Sequence, residues 1–124
     1  MAVAHRAETH RASAPDETRD FTDGKGRVDI CHLSSGPAGL STFEPGWRWS
    51  EHTKPLAGTD SCEVEHIGYV LQGRMGLQFD DGTEMEVAAG DFFVIPAGHD
   101  GWVIGDEACK LVDFGGLEGY ATTG

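Results

Sequence analysis

The chain has 124 residues, with 9 Lys and Arg against 21 Asp and Glu, so its formal net charge is −12. That length fits one domain, and the charge excludes phosphate-backbone recognition and attraction to an anionic membrane surface, which both need clustered Lys and Arg. Its 18 glycines beside 5 prolines, with no Gly-X-Y period, exclude collagen-like and low-complexity chains and point to many tight turns.

Residues 1–27 are polar, with Val3 and Phe21 the only large apolar side chains besides Met1. Such a segment does not bury enough apolar surface to offset its ordering entropy, so it reads as a flexible N-terminal arm ahead of a domain at 28–124. Its five basic residues cancel its five acids, which places the whole −12 on residues 28–124. The three cysteines, Cys31, Cys62 and Cys109, are odd in number, widely spaced and free of any CxxC pattern. Reduced thiols in a cytoplasmic protein are the expectation. No signal-like stretch and no long apolar run is present, so a soluble chain is expected.

From Val28 onward, short apolar-alternating runs are separated by turn residues. Strands are predicted at 28–33 and 40–43, with Ser34-Ser35-Gly36-Pro37 turning between them. A half-buried strand is predicted at 47–52, where aromatic and polar residues alternate, and a loop at 54–61. Further strands are predicted at 65–72, at 75–79 and around Met85 and Val87, with Asp80-Asp81-Gly82 as a hairpin turn. Runs at 91–95, 102–104 and 111–114 complete the series. Regular spacing without a convincing helix predicts an all-β sandwich or barrel, and pairing of two chains would help close its edges.

Three histidines lie in or beside these strands: His52, His66 and His99. Parity puts His52 on one face with Arg48 and Ser50, and His66 on one face with Gly68, Val70 and Gln72. Three neutral imidazoles converging on one point suit zinc or another first-row divalent ion such as iron, manganese, nickel or copper. The competing reading is a set of hydrogen-bonded histidines lining a polar pocket. Cys62, in the loop before His66, is a possible extra ligand or an inert thiol. Asp100, beside His99, could orient its ring or serve as a turn acid. Arg48, Gln72 and Trp102 are candidates for the substrate pocket, Arg48 either as a receiver of a carboxylate or as a partner for one of the chain's many acids. Gly68, lacking a side chain, would leave room beside His66.

The stretch 45–104 resembles a cupin, specifically a small single-domain cupin. The family's first motif runs Gly, five residues, His-x-His, a short gap, Glu, six residues, Gly; here stand Gly46, His52, His66 and Gly73. The second runs Gly, five residues, Pro-x-Gly and then a His; here stand Gly90, Pro96-Ala97-Gly98 and His99. The phrases GYVLQGRM and GDFFVIPAG are close to the family's strands. In this register Lys54 takes the second His position, His66 the Glu position and Gly101 the third His position.

The resemblance implies a double-stranded β-helix (a jelly-roll barrel) with a small molecule bound inside, near a divalent metal held by His52, His66 and His99. Two functions fit it. One is a metal-dependent oxygenase or isomerase of a small organic acid. The other is a non-catalytic module that binds or senses a small molecule or metal, with a homodimer the expected assembly and neither nucleic acid nor membrane a partner.

Overall fold

The computed structural model describes residues 7–115. Nine strands form two sheets. Strands β1 (Glu17–Asp20), β2 (Gly26–Leu33), β3 (Gly36–Phe43), β9 (Cys109–Asp113), β4 (His66–Gln72) and β7 (Phe92–Ile95) pair in the order β1-β2-β3-β9-β4-β7, and β6 (Glu84–Ala88), β5 (Arg74–Phe79) and β8 (His99–Val103) pair in the order β6-β5-β8. Every named pair is antiparallel.

Alternating side chains fill the space between the sheets, as a period of two demands. Val28, Ile30, Phe43, Val70, Phe93 and Leu111 from the larger sheet pack with Met75, Leu77, Val87 and Val103 from the smaller. This is the expected all-β double-stranded β-helix. Among the described residues no helix is long and apolar enough to cross a membrane.

Two stretches differ from the sequence reading. The segment before Val28 is not a free arm along its whole length. Glu17 pairs with Ile30 and Asp20 with Arg27, which makes β1 the sheet's edge. Phe21 is buried and stacks on Phe43 at 5.3 Å between ring centroids. An edge strand needs few apolar residues, because backbone pairing and contacts such as Thr18 Oγ1 donating to Asp29 at 2.8 Å hold it.

The second difference is at residues 47–52. Arg48 is extended and bridges to Trp102, but Trp49–His52 is one turn of helix, α1, followed by a second, α2 (Lys54–Ala57). Asp100 Oδ1 accepts the Ser50 N–H at 3.0 Å, giving a partner to an amide that the first turn leaves unpaired. The aromatic–polar alternation therefore ends at Arg48.

The outer side of β4 and β7 is apolar and open. Ile67 is 47% exposed, Leu71 50%, Val94 58% and Phe92 85%, and β7 has no neighbour beyond it among the described strands.

Gly68 has a role opposite to the one expected. It faces Asp113 across the β4–β9 pair, and a Cβ built there would lie 1.8 Å from the Val112 carbonyl oxygen and 2.9 Å from the Phe93 ring. The missing side chain lets β9 approach and leaves no free room. Gly68→Ala should therefore destabilise the fold by about 1–3 kcal/mol or more, read as a lower denaturant midpoint with an unchanged slope; an unchanged midpoint would contradict this packing.

Candidate functional site

Three side chains meet at one end of the barrel interior. Cys62 comes from the loop after α2, His66 from the start of β4 and His99 from the start of β8. Their potential ligand atoms all lie within 4.8 Å of one another, and all three residues are buried. Backbone pairing fixes the loop, since the Cys62 N–H donates to the His99 carbonyl at 2.7 Å and the Gly98 N–H donates to the Cys62 carbonyl at 2.6 Å.

Each imidazole is oriented through its other nitrogen. His66 Nδ1 meets Asp113 Oδ2 at 2.7 Å, and His99 Nδ1 meets the Pro96 carbonyl oxygen at 2.7 Å. A carbonyl only accepts, so His99 Nδ1 carries the hydrogen and, in the neutral ring, Nε2 keeps the lone pair. His66 Nε2 lies 3.7 Å from Cys62 Sγ. Two ligands of one tetrahedral metal at ordinary bond lengths stand about 3.3–3.8 Å apart, so this spacing suits a shared ion. Carboxylate or carbonyl support behind a ligating histidine is the arrangement that metal sites use to fix ring orientation. The donor set fits a divalent metal.

The electrostatics are polarised. Burial pushes the Cys62 thiol up, but hydrogen bonds and positive charge from His66 and His99 outweigh it and bring the thiol down to about 6. Burial pushes His66 down, but Asp113 and Cys62 outweigh it and raise the imidazole to about 9. Each partner therefore favours the charged form of the other. Cys109 shows the contrast: burial, with Glu107 adding to it, raises that thiol to about 11.

The interior cavity beside the cluster has a volume of about 30 Å³. Phe43, Trp47, Trp49, Met75, Leu77 and Phe93 are among its walls, with His66, His99 and Asp113 as its polar groups. Trp49 is 2% exposed, and its indole N–H has no partner among the described residues.

Of the expected metal ligands, His66 and His99 come together, and Cys62, expected as an extra ligand, completes the cluster. His52 stands apart from it. Its Nδ1 accepts the Arg48 backbone N–H at 3.0 Å and its carbonyl accepts the Thr22 hydroxyl at 3.0 Å, so it caps α1. The helical turn removes the strand parity on which its inward direction rested.

The expected substrate-pocket residues lie outside the cavity. Arg48 sits over the Trp102 ring at 4.8 Å and pairs with Asp100 at 3.3 Å. Trp102 lies against Gly76, where a Cβ would come within 2.4 Å of its ring. Gln72 Nε2 donates to the Ala108 carbonyl at 3.1 Å. Asp100 therefore serves Arg48 and α1 rather than His99.

Asp113 was not singled out by the sequence, although Cys109, Leu111 and Asp113 share one parity and all are buried. An acid on an inward face is costly without a partner, and that was the available signal.

In metal-free protein, the ultraviolet absorbance of the Cys62 thiolate should grow in with a midpoint near 6 and vanish in Cys62→Ser. Asp113→Asn should move that midpoint upward, because His66 loses the carboxylate that keeps it charged. A wild-type midpoint near the ordinary thiol value of 9.0 would contradict the geometry.

The Cupin domain family model matches residues 39–115. No curated protein matches the chain. Among solved structures, the polyketide cyclase RemF from Streptomyces resistomycificus is similar at TM-score 0.60 and 20% identity, over 91% of this chain and 81% of that one. A protein of unknown function from Acinetobacter is similar at TM-score 0.57 and 13% identity, over 81% of this chain and 90% of that one. Oxalate decarboxylase from Bacillus subtilis is similar at TM-score 0.52 and 21% identity, over 74% of this chain and 26% of that one. At these identities the likeness concerns the fold. With its sheets, its buried inward cluster and a family match over most of its length, the chain belongs to the cupin domain family.

Proposed function

We propose that this cupin binds one divalent transition-metal ion through Cys62, His66 and His99, and that a water-sized ligand reaches the ion from the interior cavity. The observation that carries this reading is the convergence of a buried thiol and two imidazoles whose Nδ1 atoms are both held from behind. A thiolate with two imidazoles suits zinc, iron, nickel or copper better than manganese. When bound, the ion supplies a Lewis-acid centre that polarises its ligand.

The chain's own residues do the rest. Asp113 orients His66 and balances its charge. Pro96 fixes His99. The unpaired Trp49 N–H offers a donor to an oxygen in the cavity, since a buried unpaired donor costs about 1–3 kcal/mol. The apolar wall excludes bulk water.

Binding or sensing fits these features better than turnover of an organic acid. The cavity beside the cluster is small, about 30 Å³. Among the described residues its walls include no Arg or Lys, and the basic residue expected to receive a carboxylate, Arg48, is engaged with Asp100 and Trp102. Dependence on free, buried thiols supports a reducing compartment and so a cytoplasmic placement. The open edge of β7 supports pairing of two copies.

Reconstitution of metal-free protein with zinc or cobalt should fill this position in wild type and not in Cys62→Ser or His66→Ala. Asp113→Asn should weaken its affinity about 10–100-fold. Failure to bind zinc, iron, nickel or copper here would overturn the reading, as would equal affinity in all variants. Sedimentation should give a dimer; a monomer at high protein concentration would remove the pairing.

A further inference from the structure

A second donor cluster lies outside the barrel. His10, Asp16 and Cys31 place one potential ligand atom each within 4.8 Å of one another. His10 and Asp16 belong to the segment before β1, and Cys31 to β2. The histidine and the aspartate are exposed, while the cysteine is buried.

The hydrogen bonds around this cluster aim its donors at one point. Glu8 accepts the Ser34 N–H at 3.0 Å and the Ser34 hydroxyl at 2.6 Å, which fixes its carboxylate. That carboxylate meets His10 Nε2 at 2.9 Å. A carboxylate accepts, so Nε2 carries a hydrogen, and Nδ1 is the ring nitrogen on the Asp16 side. Asp16 Oδ2 is itself held by the His32 N–H at 2.7 Å. The distance from His10 Nδ1 to Asp16 Oδ2 is 3.8 Å.

That distance is too long for a direct hydrogen bond. The edge of a tetrahedral metal site is about 3.3–3.8 Å, which the gap matches. The Cys31 thiol, lying under the same segment and 3.7 Å from the Arg11 carbonyl oxygen, adds a sulfur donor. Nitrogen, oxygen and sulfur in one set suit zinc better than magnesium or calcium. The Glu8 carboxylate behind His10 repeats the support that Asp113 gives His66.

We propose that His10 Nδ1, Asp16 and Cys31 form a second site for a zinc-class divalent ion, with its remaining position open to water. The ion ties the N-terminal segment to β2. The site shares no ligand with the barrel cluster, so it stands or falls separately.

Cobalt titration of the reduced, metal-free full chain tests it, since a thiolate ligand gives cobalt an intense charge-transfer band. Cys62→Ser should retain one equivalent of cobalt with its thiolate band. His10→Ala in that background should lose the equivalent and the band, and Cys31→Ser should do the same. His10 is exposed, so its replacement keeps the fold if Cys31→Ser does not. Zinc should also slow tryptic cleavage after Arg11 at least tenfold in the Cys62→Ser chain, and not when His10 is also replaced. The proposal is overturned if Cys62→Ser binds no cobalt, or if the added His10→Ala leaves both the cobalt equivalent and the protection intact. If the wild-type equivalent is lost with His10→Ala and kept with Cys62→Ser, the barrel reading fails while this site stands.

Discussion

The contact between His66 and Asp113 organises the interior. It joins β4 to β9 at 2.7 Å between two buried side chains. An isolated carboxylate could not remain charged there, and an isolated imidazole would favour its neutral form. Together they tolerate burial, and His66 in turn lowers the Cys62 thiol. Gly68 makes the contact possible by letting β9 close on β4. One missing methyl group and one buried ion pair thus set where the thiol, the two rings and the cavity lie.

Much of the barrel was legible in the sequence because strands advertise themselves by alternation. Met75, Leu77 and Val87 face the core as a period of two requires, and Asp80-Asp81-Gly82 turns the hairpin between β5 and β6. The single helical turn at Trp49–His52 was not legible, because its partner for Ser50 is Asp100, 50 residues away. That one long-range bond took His52 out of the cluster and Arg48 out of the pocket. The edge strand β1 was hidden for another reason: pairing through backbone leaves little mark on side-chain composition. His66 and His99 were legible as candidates from their places beside strands, whereas the backbone bridge that brings Cys62 to His99 leaves no mark in the spacing.

Three thiols in one small chain occupy three different environments. Cys62 is drawn toward the thiolate by two imidazoles, Cys109 is held as a thiol by burial, and Cys31 lies beneath the N-terminal segment. Their chemistry is therefore separable. The apolar walls of the cavity confine its polar groups, His66, His99 and Asp113, to one corner.

The open edge of β7 has a colloidal meaning. Phe92 and Val94 stand on a strand with no neighbour beyond it among the described residues, the surface from which unintended strand addition starts. The net charge of −12 opposes the approach of further copies over roughly one Debye length, about 8 Å at physiological ionic strength. The acidic shell is thus a solubility device as well as a source of attraction for cations. Salt, or protonation of the carboxylates, withdraws that protection first where the sheet is most adhesive.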